Sequence, residues 1–216
     1  MPYLTQACPD PEPLDCRILT AALDLFVEQG YHNVSVHEIQ KRADVSIGSI
    51  YKHFGGKEGV ADALYTHILG ELDQLIDGIM DRHDNAADRC QAIIESLFQH
   101  TETHRNIIAY IFHTKHADFL PQQAHICESS PFLKMRAIVE QGIQRGELRQ
   151  TAPWVATACI FGGMARLIQL RLDGSITAPL MQYRNDMLDV LWNGMVSDKL
   201  AQEIPERSRP VTKARS

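Results

Sequence analysis

The sequence lacks the features of a secreted or membrane-spanning protein. Its five cysteines are odd in number and have no Cys-x-x-Cys spacing, which is typical of reduced thiols rather than of a disulfide framework. Residues 2–13 have neither a charged start nor an apolar run, so no signal peptide is expected. The longest apolar stretch, near residues 157–165, is interrupted by Arg166 before it reaches the length of a membrane span. We therefore expect a cytoplasmic protein with no membrane partner.

Motifs of catalysis and of β-sheets are also missing. The sequence has no Gly-x-Ser-x-Gly, phosphate-binding loop or dinucleotide fingerprint, and its carboxylates lie in helical surface patterns. From residue 86 onward no strand-type alternation occurs, whereas apolar residues recur at helical spacing. The pattern predicts an all-α protein that is not an enzyme and holds no cofactor, with helices near residues 15–29, 47–53, 57–81, 86–102, 105–115, 130–145, 152–173 and 179–199.

Residues 35–60 carry the most informative pattern. Ser35 and Glu38 have the spacing of a capping box, which starts a helix that ends at Asp44. Ser46 is a good N-cap for a second short helix, and the interval between the two helices is that of a helix-turn-helix. The second helix buries little by pattern and is rich in hydrogen-bond donors.

The charge distribution supports a nucleic-acid partner more than the total charge does. The total is acidic, at −6, which by itself argues against binding to DNA. The segment from 41 to 57 is nevertheless basic, because it contains four cations and one acid: Lys41, Arg42, Lys52, Lys57 and Asp44. A local positive face on an acidic body favours phosphate contact at one place and repulsion elsewhere.

One string of residues runs from the first helix to the start of the long fourth helix. It consists of Ile18, Ala22, Leu25, Phe26, Gly30, Tyr31, Ser35, Val36, Ile39, Ala43, Val45, Ser46, Gly48, Tyr51, His53, Phe54, Lys57 and Glu58. At this spacing, residues 17–60 resemble the DNA-binding domain of the TetR family of bacterial transcription regulators. Asp44, Ile47 and Gly59 depart from the usual pattern of the family. The departure at Ile47 affects the expected base preference.

We interpret the second short helix as the element that reads DNA. The residues expected to hold phosphates are Ser35, Tyr51, Lys52, His53 and Lys57. The residues expected to face base edges are Ile47, Gly48 and Ser49, and the preceding Ser46 belongs to the same contact surface.

The resemblance implies two domains, and the sequence adds two flanking segments. We expect a flexible arm over residues 1–13, a helix-turn-helix domain over 14–56, a helical regulatory and dimerisation domain over 57–200, and a disordered basic tail over 201–216. The arm contains four prolines and the tail has little apolar content.

The last two predicted helices have more apolar surface than one chain needs. Residues 154–172 are apolar nearly all round, with Gly162 and Gly163 in the middle, and the final helix has a broad apolar face. This predicts a homodimer built as a four-helix bundle, with a palindromic operator as its DNA partner. The alternative is that both faces pack within one chain. The residues assigned to the interface are Phe161, Gly162, Gly163, Met187, Leu191, Trp192 and Met195.

In the TetR family the second domain usually holds a small-molecule site. The resemblance therefore implies a repressor that an effector releases from DNA, and the aromatic residues and methionines suggest a largely apolar or aromatic effector. Such residues at helical spacing also suit an ordinary core. The candidate lining residues are Phe98, Tyr110, Phe112, His113, Phe119, Met135, Trp154 and Met164.

A metal- or redox-responsive regulator is the alternative hypothesis. His100 and His104 are four residues apart, and His113 and His116 are three apart, so each pair can lie on one helix face. Cys127 follows in the next loop and is a candidate redox switch or further ligand. Packed or solvated histidines explain the same pattern without a metal.

Overall fold

The computed structural model describes residues 3–5, 9–123 and 126–195. Within these residues the chain forms α-helices and no β-strand, which confirms the all-α prediction. The helices are α1 (Leu14–Gln29), α2 (Val36–Ala43), α3 (Ile47–Phe54), α4 (Lys57–Met80), α5 (Ala86–Thr103), α6 (Arg105–His113), α7 (Ser130–Arg145), α8 (Pro153–Leu172) and α9 (Arg184–Met195). Short 3-10 turns occupy Tyr31–Asn33, His116–Asp118, Ile126–Glu128 and Leu180–Tyr183.

The helices divide into two compact units. Unit 1 comprises residues 1–78 and 103–133, and unit 2 comprises residues 79–102 and 134–216. The predicted domain boundary after residue 56 is therefore not the boundary between the units. Most of α4, together with α6 and the loop after it, belongs with the helix-turn-helix segment because α1 packs against α6 as well as against α2.

The ends of the first helices follow from local chemistry. Gly30, with φ of 80°, ends α1 in a backbone conformation that other residues rarely adopt. At the start of α2 the Ser35 side chain accepts from the Glu38 amide, and the Glu38 carboxylate accepts from the Ser35 amide at 2.7 Å. This capping box is the one predicted from the sequence. Such a cap contributes about 1 kcal/mol to helix stability.

The core of unit 1 is built from the faces that the helical spacing predicted. In α1 the buried face includes Ile18, Ala22 and Phe26, each at most 2% exposed. The apolar line of α4 is buried at Leu64, Ile68, Leu72 and Leu75, and Ile79, which is also buried, is the first residue of unit 2. Burial of a Leu or Ile side chain contributes roughly 1.5–3 kcal/mol to the stability of the fold, so these residues hold α1 and α4 firmly in the core.

Part of the N-terminal arm is packed. Leu4 is 6% exposed, and its amide donates to the Glu71 carboxylate at 2.8 Å. The Tyr3 ring contacts the His67 ring edge-on, with centroids 5.5 Å apart. The prediction of a flexible arm is therefore wrong for residues 3–5, because local composition does not reveal a partner on a helix some 65 residues away. Cys8 and the predicted basic tail lie outside the described residues.

Unit 2 is held by apolar packing and by two ion pairs that reach from α5. Glu102 accepts two hydrogen bonds from Arg171 of α8, at 2.9 and 2.7 Å, in the bidentate geometry that suits a guanidinium. Glu95 pairs with Arg184 at the start of α9. Phe98 and Ile160, both fully buried, are part of the core. The first ion pair joins α8 to α5, and the second joins α9 to α5.

Helix α8 is unusual in its exposure. By length and composition alone it could cross a membrane, contrary to the expectation from Arg166, although one such helix is weak evidence. Only 28% of its most apolar window is buried in the chain. The exposed side includes Val155 (55% exposed) and Cys159, together with Gly162, beside which an added Cβ would meet nothing within 4 Å. This surface is apolar and lacks a cover within the described residues.

The glycine at position 59 is required by the approach of α3 to α4. A Cβ there would lie 1.7 Å from the Phe54 carbonyl oxygen, which is backbone and cannot move aside. We expect Gly59→Ala to lower the free energy of unfolding by at least about 2 kcal/mol, despite the better helix propensity of alanine. Urea unfolding followed by circular dichroism measures this.

Gly70→Ala is the matched control in the same helix. An added Cβ at Gly70 meets nothing within 4 Å, so this change should stabilise the protein by up to ~1 kcal/mol. Equal effects of the two substitutions would contradict the assigned contact.

Candidate nucleic-acid interface

The turn between α2 and α3 is fixed from two sides. Asp44 adopts a left-handed conformation, with φ of 51° and ψ of 56°, which aspartate tolerates better than most residues. The Arg17 guanidinium of α1 donates to the carbonyl oxygens of Ala43 and Asp44 at 2.7 and 2.6 Å. The Gln40 side chain donates to the Val45 carbonyl at 2.8 Å. The angle at which α3 leaves α2 is therefore set by α1 and α2 together.

Helix α3 is anchored by few side chains and presents the rest outward. Ile50 is fully buried and Phe54 is half-buried. Ser46 caps the helix, because its hydroxyl accepts from the Ser49 amide at 3.1 Å. The predicted contact residues Gly48, Tyr51, Lys52 and His53 are exposed, whereas Ile47 and Ser49 are half-buried. The outer face thus combines a phenol, an ammonium and an imidazole on a short, fixed helix.

Ser35 and Ser46 are exposed, yet their hydroxyls already have partners. The Ser35 hydroxyl donates to Glu38 Oε2 at 2.7 Å, and the hydroxyls of Ser46 and Ser49 are 2.8 Å apart. The hydrogen bond from Ser35 lowers the pKa of the Glu38 carboxyl below its ordinary value. A contact of either serine with a phosphate would have to share or replace these bonds.

Lys57 is directed into the protein at the start of α4. Its ammonium donates to the carbonyl oxygens of Tyr31 and Val34 at 3.1 and 2.9 Å, and lies 4.1 Å from the centroid of the Tyr31 ring. These contacts explain a lysine in the first turn of a helix, where a cation is otherwise unfavourable. The predicted phosphate contact of Lys57 remains a prediction, and it now competes with a structural role.

The basic residues of the segment from 41 to 57 have different surroundings. Arg42 is paired with Glu28 through two hydrogen bonds of 3.3 and 3.0 Å, which lower the pKa of the Glu28 carboxyl. Lys41 and Lys52 are exposed and have no ion-pair or hydrogen-bond partner within the described residues. They are the cations of this surface that remain available to phosphates. Lys41 counted toward the charge of the segment but was not assigned a contact.

The eight residues predicted to line an effector site fall in both units. Tyr110, Phe112, His113 and Phe119 belong to unit 1, and Phe98, Met135 and Met164 are buried in unit 2. His113 and Phe119 line a cavity together with residues of α1 and the turn after it.

Trp154 does not lie in a buried lining. Its side chain is 64% exposed, and the Arg136 guanidinium lies 4.7 Å from its ring centroid. A lining role for Trp154 stays a prediction, and this exposure does not support it. The residue occupies the second position of α8, at the exposed end of the helix, and sequence patterning does not show which side of a helix end is covered.

The histidine and cysteine residues do not form a metal site within residues 3–5, 9–123 and 126–195, where no three His, Cys, Asp or Glu side chains are arranged to hold a metal ion. His100, His104 and His113 are therefore not parts of such a site there, and neither is the exposed Cys127.

His116 is a packed aromatic residue. It is 7% exposed, and its ring lies 4.9 Å from the Tyr65 ring and 4.7 Å from the Tyr110 ring, between centroids. Burial lowers the pKa of His116 to about 4, so the imidazole is neutral at pH 7. Its Nε2 atom and the Tyr110 hydroxyl are buried without a hydrogen-bond partner among the described residues.

Three of the residues predicted for a dimer interface are used inside the chain. Phe161, Leu191 and Met195 are at most 9% exposed. An added Cβ at Gly163 would lie 3.7 Å from the end of the Met187 side chain, so this glycine faces α9 of its own chain. The exposed members of the set are Gly162 and Gly163, and Met187 and Trp192 are half-buried.

The chain is similar to known proteins in sequence. Residues 18–64 match the family described as bacterial regulatory proteins, tetR family. The fatty acid metabolism regulator protein of Bacillus subtilis is 23% identical over 186 residues, which cover 85% of this chain and 96% of the relative.

Solved structures show the same fold. The regulator FadR of Bacillus subtilis, in complex with stearoyl-CoA, superposes with a TM-score of 0.67 at 24% identity, covering 82% of this chain and 97% of FadR. The ketosteroid transcriptional regulator KstR2 of Mycobacterium tuberculosis also has a TM-score of 0.67, at 22% identity, covering 89% and 98% of the two chains. At these identities the likeness establishes the fold of the chain over nearly its whole length.

The two lysines at positions 52 and 57 can be separated by experiment. Lys57→Met should lower the free energy of unfolding by about 1–3 kcal/mol, because two carbonyl oxygens lose a charged donor. Lys52→Met should leave stability unchanged and reduce the salt dependence of binding to duplex DNA by about one released counterion for each copy bound.

Urea unfolding and DNA titrations at several salt concentrations measure both effects. An unchanged stability of Lys57→Met would contradict the structural role of this lysine. An unchanged salt slope for Lys52→Met would remove Lys52 from the phosphate contacts.

Proposed function

The chain belongs to the TetR family of bacterial transcription regulators, and we propose that α3 of two copies reads a palindromic operator in the bacterial cytoplasm. It is a DNA-binding regulator, as its named relatives are. The relatives are regulators rather than enzymes, which favours binding over catalysis as the activity of this chain. We further propose that the protein is a repressor that an effector releases from DNA.

The exposed outer face of α3 is the observation that carries this proposal. Tyr51, Lys52 and His53 point away from a support in which the turn before α3 is hydrogen-bonded to α1 and α2. A helix whose backbone is already fixed loses little conformational entropy on binding, so its outer side chains suit phosphate contacts that set register. Gly48 allows close approach to base edges, and Ile47 offers an apolar contact to a thymine methyl group.

A homodimer is supported by the uncovered surface of α8 and α9. Val155, Cys159 and Gly162 recur at helical spacing on the exposed side of α8, and Val190 of α9 is 77% exposed. Large uncovered apolar patches on a soluble protein mark sites of association. We therefore propose an interface on these residues in place of Phe161, Leu191 and Met195, with Gly162 permitting close helix approach.

The double variant Val155→Asp/Val190→Asp tests the interface and the operator symmetry together. Two carboxylates at the proposed contact should give a monomer in sedimentation velocity, with a helical circular dichroism spectrum like that of the parent. Because two linked reading helices bind far more tightly than one, affinity for an inverted repeat should fall by at least about 100-fold.

Leu133→Asp is the matched control, since Leu133 is exposed on α7 and lies outside the proposed interface. Selection from random duplexes should return an inverted repeat with the parent protein and with this control. A dimeric double variant, or a parent protein that is monomeric at micromolar concentration, would sink the proposal.

The effector is proposed from the relatives and from the apolar core of unit 2. One relative is named for fatty acid metabolism, a second is solved with stearoyl-CoA, and a third is a ketosteroid regulator. Phe98, Met135 and Met164 are buried in this chain, and methionine adapts its shape to apolar ligands. We propose a long apolar acid, carried as its coenzyme A thioester, as the effector.

Thermal unfolding in the presence of stearoyl-CoA tests this proposal. At about 100 times the dissociation constant, a ligand that binds only the folded state adds about 2.7 kcal/mol and raises Tm by roughly 5–10 °C. Coenzyme A alone should have little effect, and the thioester should release the selected operator. No shift with stearoyl-CoA or with shorter and steroid thioesters would exclude this class of effector.

A further inference from the structure

A cleft of about 310 Å³ lies within unit 1, where the end of α1 and the turn after it meet the end of α6 and the 3-10 turn of residues 116–118. We call it the α1–α6 cleft. Its apolar walls include the rings of Phe26, Tyr31 and Phe119, and its polar residues are His32, His113, Thr114, Lys115 and Asp118. Its volume lies at the lower end of the range of ligand sites, so the cleft suits a small molecule.

The walls of the cleft favour a flat aromatic ligand. The Tyr31 and Phe119 rings are stacked, with centroids 4.2 Å apart and planes 13° from parallel, and the Phe26 ring is tilted against Tyr31 at 5.2 Å. Because the Lys57 ammonium covers Tyr31 at 4.1 Å, the ring has little freedom to move. Both faces of the Tyr31 ring are covered, by Lys57 and by Phe119, so this ring meets a ligand ring through its edge, which is a favourable aromatic contact.

The polar rim favours an anion with a hydroxyl group. Lys115 is exposed, and its ammonium has no partner within the described residues. His32 and His113 add imidazole nitrogens, whereas Asp118 is the single carboxylate of the lining. A carboxylate on the ligand can therefore meet Lys115, and a hydroxyl group on the ligand can donate to Asp118.

We propose that the α1–α6 cleft is a second effector site, which binds a small hydroxylated aromatic carboxylate. The site uses residues of α1 and α6, so it is separate from the thioester site proposed above and does not depend on it. The two helices are already joined, because Asn106 of α6 donates to Asp24 of α1 at 2.6 Å. A ligand in the cleft acts on DNA binding through its unequal affinity for the free and DNA-bound arrangements of α1 and α6.

Calorimetric titration of the full chain with 4-hydroxybenzoate tests the binding site. Binding is expected in the millimolar range or tighter, and the neutral isostere 4-hydroxybenzyl alcohol should bind more weakly. Lys115→Gln should weaken 4-hydroxybenzoate about three- to tenfold and leave the alcohol unchanged, because only the acid uses the ammonium. Lys41→Gln, the same change at an exposed lysine of α2 outside the cleft, is the control and should have no effect on the binding of 4-hydroxybenzoate.

A second variant keeps the test independent of charge. Val27 lines the cleft and is half-buried, so Val27→Trp should fill the space and abolish binding of both probes while circular dichroism stays helical. Absence of 4-hydroxybenzoate binding would overturn the proposal, as would binding that Lys115→Gln and Val27→Trp both leave unchanged. Stearoyl-CoA titrated into the same variants separates this outcome from failure of the thioester proposal.

The regulatory part has its own readout. Saturating 4-hydroxybenzoate should change the affinity for the selected operator at least about fivefold, and by linkage the operator should change the affinity for 4-hydroxybenzoate by the same factor. Both changes should vanish in Val27→Trp. An operator affinity that 4-hydroxybenzoate leaves unchanged would overturn the role of the cleft as an effector site.

Discussion

The ammonium of Lys57 is the contact on which the rest of unit 1 depends. It joins the first turn of α4 to the carbonyl oxygens of Tyr31 and Val34, which lie between α1 and α2. A charged donor to two partly buried acceptors is worth more than an ordinary hydrogen bond. Its loss removes the charged donor from both carbonyl oxygens, although the Tyr31 carbonyl still accepts from the Val34 amide at 3.2 Å. Through this contact α4, α1 and the start of α2 are held in one fixed geometry.

The Tyr31 ring extends the same contact toward the loop after α6. One face of the ring lies under Lys57, and the other face is stacked on Phe119. Phe119 in turn lies near His116, whose ring contacts Tyr110 of α6. A continuous series of packed groups therefore runs from α6 to the start of α4. A ligand that moves α6 has a physical route to the helix-turn-helix, provided that it binds two arrangements unequally.

Sequence patterns predicted those features of the fold that depend on neighbours along the chain. The capping box of Ser35 and Glu38 and the stop at Gly30 are local hydrogen-bond and backbone effects, and the structure has both. The surroundings of Lys57 and Trp154 are set by residues distant in the sequence, which a pattern of charge and hydrophobicity does not show. The pattern therefore assigned Lys57 to a phosphate and Trp154 to a pocket. The family resemblance supplied the predicted DNA-reading face of α3, whereas the cleft beside α6 has no signature in the sequence.

The distribution of charge has a consequence for how this regulator searches a chromosome. In the segment from 41 to 57, Arg42 is paired with Glu28 and Lys57 is turned inward. Lys41 and Lys52 are therefore the cations of this segment that remain available to phosphates, on a chain of net charge −6. A protein that neutralises few phosphates has a low affinity for nonspecific DNA. This matters because a bacterial genome offers on the order of a million competing nonspecific sites. Most copies should then diffuse freely rather than be titrated by bulk chromosome, so a low copy number suffices to occupy a single promoter.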